Sequence, residues 1–296
     1  MALNKRYLTV GMVSFIDLLG FSSRVMSMKT GADLEAIEHD IRRVQAWFDN
    51  KPTDEALIES QKIMSKKVQA FSDCLVVSVS SRSELAKSQG DFDVLMSEVT
   101  SVAMAQGLCA VNGIFVRGGS DYGIWYKRGD TMISPAMVQA YELERSACVP
   151  MIAIGDNLYK HLSGHKNRKY YSEDFDPIPR CFHFYQNLPN GKAHWFIDYL
   201  PILLEAQDGM IAPADQVAYH AAGGDIKNSM RNAAFRRDCL HTTIKHRDAI
   251  RTAHATARGA TIRSKYEWLA RYHDDAVRRF FKEPASEILI GDLSIG

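Results

Sequence analysis

Tyr7 to Leu18 is a nearly continuous apolar run and reads as a buried β-strand, closed by Leu19-Gly20. From Ala32 to Asn50 the apolar positions Leu34, Ile37, Ile41, Val44 and Trp47 recur at helical spacing, and Pro52 ends that helix. Residues 53–66 read as a short second helix or a lysine-rich loop. Lys67 to Ser80 is apolar on both sides of Ser72-Asp73, the pattern of a β-hairpin with Asp73 at its turn. Leu95, Val99, Val102, Ala103 and Leu108 predict a helix over Phe92 to Ala110. Gly113 to Tyr126 reads as a strand pair broken by Gly118-Gly119, followed by a helix from Pro135 to Ser146 with proline in its first turn. Pro150 to Ile154 is a strand, and Asp156 is placed as the N-cap of the next helix. Arg180 to Gln186 and Lys192 to Tyr199 pair as a hairpin around Pro189-Asn190-Gly191.

The resulting order, β-α-β-β-α-β with further elements after it, is the ferredoxin-like split pattern of an α/β (α+β) domain. From about Pro213 the pattern changes, and residues 227–283 hold two long basic helical stretches separated near Gly259. We therefore expect an α/β domain over 1–205 and a basic helical extension over 206–296.

Composition narrows the picture only a little. The 296 residues are 46% hydrophobic and carry a net charge of +1, enough apolar material for a core and no polyelectrolyte character over the whole chain. Cys74, Cys109, Cys148, Cys181 and Cys239 are scattered, odd in number and without a CxxC pair, so they read as reduced core residues. With no apolar leader before Asp17 and no run near the ~20 residues of a membrane span, a soluble cytoplasmic protein without membrane contact is expected.

Two short stretches carry candidate chemistry: Val13-Ser14-Phe15-Ile16-Asp17-Leu18-Leu19-Gly20-Phe21 and Phe71-Ser72-Asp73-Cys74-Leu75-Val76-Val77-Ser78. A carboxylate beside buried apolar surface is costly unless a cation or strong donors compensate it. Two of them, each at a strand end or tight turn, suit a pair of divalent metals that would hold a triphosphate and acidify a hydroxyl. The plainer alternative is that Asp17 and Asp73 are turn or capping residues.

Phe15-Ile16-Asp17-Leu18-Leu19-Gly20-Phe21 and Phe71-Ser72-Asp73 resemble the two metal motifs of class III nucleotidyl cyclases, over roughly residues 8–200. The resemblance implies that Asp17 and Asp73 bind two divalent cations, Mn2+ or Mg2+, with the carbonyl of Leu18 completing one shell. It further implies nucleotide contacts at Phe15 and at the backbone amides of Leu19, Gly20 and Phe21, which would cradle the β- and γ-phosphates. Gln69 stands four residues before the second aspartate, where purine cyclases read their base; its amide offers one donor and one acceptor group. In the helix motif, Val138 replaces the ribose-binding Asn and Glu142 the transition-state Arg.

That altered form, Pro135-Ala136-Met137-Val138-Gln139-Ala140-Tyr141-Glu142-Leu143-Glu144, resembles the pyrimidine cyclases of Pycsar anti-phage defence. This implies conversion of UTP, or alternatively CTP, to a cyclic monophosphate, and a separate effector protein that senses it. Arg117 is the candidate for the missing cation, with Arg145 the other. The family implies a homodimer with shared sites, residues 113–145 facing the partner chain's metals. Trp47 and Phe48 are candidates to stack on a base, although Trp47 also fits the helix's apolar face.

Other readings stay open. A diguanylate cyclase would need a Gly-Gly-Asp-Glu-Phe type hairpin, which Phe71-Ser72-Asp73-Cys74 matches poorly; a purine cyclase or a non-catalytic cyclase-like sensor would keep the fold. The basic C-terminal stretch reads as solvated helix faces and not as a nucleic-acid surface, since stacking aromatics are few before Tyr266, Trp268 and Tyr272. The histidines are read as lacking metal-binding spacing, His161 and His165 among them.

Overall fold

The computed structural model describes residues 8–49, 63–128, 131–186 and 188–293. Pro52 and most of the 53–66 segment lie outside the described residues. The chain forms two compact units, one of residues 1–109 and 114–199, the other of 110–113 and 200–296.

The first unit is built on one mixed sheet. Its opening strands and helices are β1 (Leu8–Leu18), α1 (Phe21–Ser27), α2 (Gly31–Asp49), β2 (Lys67–Phe71), β3 (Cys74–Ser80), α3 (Glu84–Gln89), α4 (Asp91–Val111) and β4 (Val116–Arg128). Then come β5 (Thr131–Ile133), α5 (Pro135–Ala147), β6 (Ile152–Ile154), α6 (Asp156–Ser163), α7 (Pro177–Cys181), β7 (Phe182–Tyr185) and β8 (His194–Ile197). Strand order is β2-β3-β1-β4-β6-β8-β7, with β5 hydrogen-bonded to β4. The segment β2-β3-β1-β4 is antiparallel throughout, the ferredoxin-like arrangement; β6 then adds parallel to β4. The fold class read from the sequence is the one observed.

The opposite faces of the central strands bury different residues. Met12, Ile16, Leu75, Val77 and Val79 are buried on one, where Val79 packs with Ala86 of α3 and Val94 of α4; Val44 and Phe48 of α2 and Leu95 and Val99 of α4 are buried too. On the other face Val13, Val76 and Trp125 pack with Ala136 of α5. The helix α4 is long and apolar enough to cross a membrane by composition, yet two thirds of that window is buried as core. Deep in it, Glu98 pairs with Lys66 Nζ at 3.0 Å, which ties the approach to β2 onto α4.

Three expectations change. Val116–Arg128 is a single strand, not a broken pair. Gly119 is there for close approach: a Cβ would stand 2.2 Å from the Ala140 carbonyl oxygen and 2.5 Å from Leu143. Asp156 does not cap α6; Gly155 holds the N-cap position, and the buried Asp121 of β4 accepts the Leu158 amide (3.0 Å) and the Asn157 side chain (2.9 Å). Phe48 is only 1% exposed, so it is core, while Trp47 is half-buried beneath Arg43.

The second unit holds α8 (Tyr199–Glu205, from Leu200 onward), α9 (Gln216–Ala221) and the long helices α10 (Gly224–Thr256) and α11 (Ala260–Phe281). Buried His246 of α10 meets buried His273 of α11 through their Nδ1 atoms at 2.8 Å, and His273 Nε2 donates to the Ile288 carbonyl at 2.9 Å. Trp268 and Tyr272 are buried and stacked on each other, so they are core residues and not a base-stacking surface. Several basic residues have acidic neighbours: Arg237 with Asp238, Arg247 with Asp248, Arg279 with Asp275.

Candidate active site

Alternation along β1 sends Ile16 and Leu18 into the core and turns Asp17 to the other face, at the strand's end. The antiparallel register then sets Asp17 opposite Cys74 of β3 and opposite Arg117 of β4. Phe71 of β2 faces Cys74, so Ser72 and Asp73 form a two-residue connection, with Ser72 in the left-handed region at φ 56°. One row across the sheet thus reads Phe71, Cys74, Asp17, Arg117, with Asp73 at the hairpin tip beside it.

The geometry brings Asp17 and Asp73 together. With Cys74, each offers a donor atom within 4.8 Å of the others. The Leu18 amide also donates to the Asp73 carbonyl at 3.3 Å, which ties the two segments at backbone level. Burial raises the Asp17 carboxyl above the usual carboxylate range; Arg117 opposes this and Asp73 adds to it. Burial, reinforced by the two carboxylates, pushes the Cys74 thiol up to about 12. Cys74 therefore stays protonated and points its S–H at Asp17 Oδ1, 3.6 Å away.

Arg117 donates through Nε and Nη2 to Asp17 Oδ2, both at 3.2 Å, and pairs with buried Glu144 of α5. It therefore meets the aspartate of its own chain, whereas the sequence expectation had it facing the partner's metals. Glu144 was not among the residues singled out; its signal was a carboxylate on the apolar, Ala136-Ala140 face of the helix. Arg145 is exposed, near Glu142 and over the Tyr141 ring.

The other nucleotide-contact candidates divide. The Leu19 amide is engaged, donating to the Phe115 carbonyl at 2.9 Å, so it is removed from the phosphate-cradle set. Gly20 has φ +80° and occupies the N-cap of α1, which has no side-chain cap. The Phe21 side chain lines an apolar groove with Val25, Met28, Leu34 and Ile37. Phe15 packs edge-on against Tyr141, ring centroids 5.3 Å apart. Gln69 stands opposite Val76, and Val76 opposite Phe15, which puts Gln69 on the same sheet face as Asp17. It is two strands from β1, about 10 Å.

A second group was missed altogether. Asp91, His161 and His165 bring three metal-capable donor atoms within 4.8 Å of one another. The two histidines are four residues apart, which was the available signal; Asp91, 70 residues away from His161, had none.

No protein-family model matches the chain, and no curated protein matches it. Solved structures do. The adenylyl cyclase CyaB from P. aeruginosa superposes with a TM-score of 0.42 at 12% identity, over 64% of this chain and 94% of that one. The guanylyl cyclase domain of the RhoGC fusion protein from the aquatic fungus Blastocladiella emersonii gives 0.41 at 13%, covering 64% and 94%. A bacterial light-regulated adenylyl cyclase gives 0.37 at 12%, covering 66% and 95%. Likenesses at this level carry no argument about function, which rests here on the residues themselves.

Proposed function

We propose that this chain is a nucleotidyl cyclase that converts a nucleoside triphosphate, UTP by preference, to its 3′,5′-cyclic monophosphate and pyrophosphate. The observation that carries the reading is the meeting of Asp17 and Asp73 at one end of the sheet with Arg117 beside them.

The donor set fits two divalent cations of the Mg2+ or Mn2+ kind. Asp17 and Asp73 offer hard carboxylate oxygens, the Leu18 carbonyl belongs to the same strand end, and Cys74 is held as a thiol. Burial already penalises the Asp17 carboxylate, so a cation there relieves an existing cost. When bound, the ions would neutralise the triphosphate and lower the pKa of the ribose 3′-hydroxyl. Arg117 is the chain's own cation for the charge gathering on the α-phosphate, once it leaves Asp17 to the metal; Glu144 keeps the guanidinium at the site. Gln69 is the base-reading residue on this account, its amide suited to the mixed donor and acceptor edge of a pyrimidine.

A homodimer follows from the same reading. Phe71 in this row, and Tyr141 of α5 packed on Phe15, leave apolar side chains exposed, as does Val138 on the same helix, and a second copy would cover them. The chemistry belongs to residues 1–205, and a separate effector protein in anti-phage defence would sense the cyclic nucleotide. Incubation with each of the four NTPs and Mn2+, with products identified by mass spectrometry, tests this. Cyclic UMP should dominate. A dominant purine product would overturn the base assignment alone, and no cyclic product from any NTP would overturn the cyclase.

A further inference from the structure

Asp91 opens α4, His161 lies in the last turn of α6, and His165 follows that helix after Gly164. His161 Nε2 is 3.1 Å from Asp91 Oδ2 and His165 Nε2 is 3.0 Å from Asp91 Oδ1. Adjacent donors around a four-coordinate ion with bonds of about 2.0–2.1 Å stand roughly 3.3 Å apart, so these atoms sit near a metal's coordination sphere already. We propose that Asp91, His161 and His165 form a metal site, distinct from the paired aspartates, for one transition-metal dication of the zinc type.

The donor chemistry chooses the ion. Two imidazoles and one carboxylate suit zinc and its neighbours, and not Mg2+, which takes oxygen ligands. The ring planes are held from outside the triad: His161 stacks on Tyr122 (centroids 4.0 Å apart, 11° between planes) and His165 on Phe92 (5.3 Å, 23°). Nearby groups are otherwise engaged, Tyr122 Oη with Ser81 and Asp93 with the Tyr171 hydroxyl at 2.6 Å. All three side chains are partly exposed, so an ion can enter and keep a water as its fourth ligand.

One contact opposes the ion and supplies a diagnostic. The Asn167 amide donates to His165 Nδ1 at 3.1 Å, so in the metal-free protein the proton sits on Nε2 and is given to Asp91. A metal on Nε2 moves that proton to Nδ1 and leaves the Asn167 amide unpaired. Losing that bond costs roughly tenfold to a hundredfold in affinity, small beside the many decades that a three-ligand zinc site supplies.

The test uses the full chain carrying Asp17→Asn and Asp73→Asn, so that the carboxylate pair takes no part, stripped with chelator and titrated with Co2+ and then Zn2+. One equivalent of Co2+ should give the intense visible bands of a four- or five-coordinate ion, and Zn2+ should displace it. Nitrogen-15 NMR should show His165 change from the Nε2–H to the Nδ1–H tautomer. His161→Asn should weaken binding at least a hundredfold; if that variant melts early, Asp91→Asn supplies the same comparison. A folded protein that binds no stoichiometric Co2+, or equal binding in the ligand variants, overturns the site and leaves a carboxylate that only accepts two imidazole N–H bonds. The outcome is independent of cyclase activity.

Discussion

Replacing Arg117 by Met should separate cation binding from turnover. The guanidinium makes two 3.2 Å contacts to one oxygen of Asp17 and pairs with Glu144. Opposite charges about 4 Å apart at an effective dielectric near 20 attract by about 4 kcal/mol before desolvation. The Arg117 side chain is 26% exposed, so solvent screening reduces what is realised, and we expect a stability loss of about 2 kcal/mol. The same change removes the cation that competes for Asp17. Recovery of about 1.4 kcal/mol of that attraction by a bound ion is a tenfold gain in affinity. Arg117→Met should therefore bind Mn2+ about tenfold more tightly while losing about 100-fold or more in cyclisation, the scale of removing one transition-state donor. Electron paramagnetic resonance of free Mn2+ gives the affinity, urea unfolding the stability, and chromatography of the nucleotides the rate. A folded Arg117→Met protein with unchanged or weaker Mn2+ binding would refute the competition argument.

Lys66→Met should destabilise by about 3 kcal/mol at neutral pH, because it strands buried Glu98 without its cation. Burial already raises the Glu98 carboxyl, and losing Lys66 raises it further. The folded state then holds a proton that the unfolded chain releases above about 4.5, so the deficit should grow as pH rises and fade in acid; urea melts at pH 4.5 and 7.5 that show equal deficits would contradict this. His246 and His273 are both held below 6.5 by burial. The unfolded chain takes up protons there that the folded unit refuses, so stability should fall as pH drops below about 6.5, by up to about 1.4 kcal/mol per pH unit for each ring. A His246→Asn protein with the same acid slope would remove the pair from that account. Asp121→Ala should cost about 2 kcal/mol, since it removes the cap of α6 and leaves the Leu158 amide without that acceptor; unchanged melting would refute it.

How much of this was written in the sequence depends on how local each cause is. The hairpins at Ser72-Asp73 and Pro189-Asn190-Gly191 and the helix on Leu95, Val99 and Val102 follow from neighbouring residues, and their patterns were readable. Gly118-Gly119 was misread because a glycine pair signals a turn locally, whereas Gly119 makes room for α5 lying across the strand and Gly118 for the neighbouring strands at Phe15 and Ile152. The cap of α6 comes from Asp121, 37 residues before Leu158, so the nearer Asp156 took its place in the reading. Asp17 and Asp73 announced themselves as carboxylates in apolar runs. Their partner Glu144, and the convergence of Asp91 with His161 and His165, exist only through tertiary register.

The most direct test of the cyclase reading is Asp73→Asn. Asp73 is at a hairpin tip, its side chain accepts a weak thiol contact at 3.9 Å, and its tie to Leu18 runs through the backbone. The variant should melt within about 1 kcal/mol of the parent. With UTP and Mn2+, the parent should release cyclic UMP and pyrophosphate, and Asp73→Asn should release neither above background. Equal turnover by a folded Asp73→Asn protein would contradict the two-carboxylate site at the centre of the proposal.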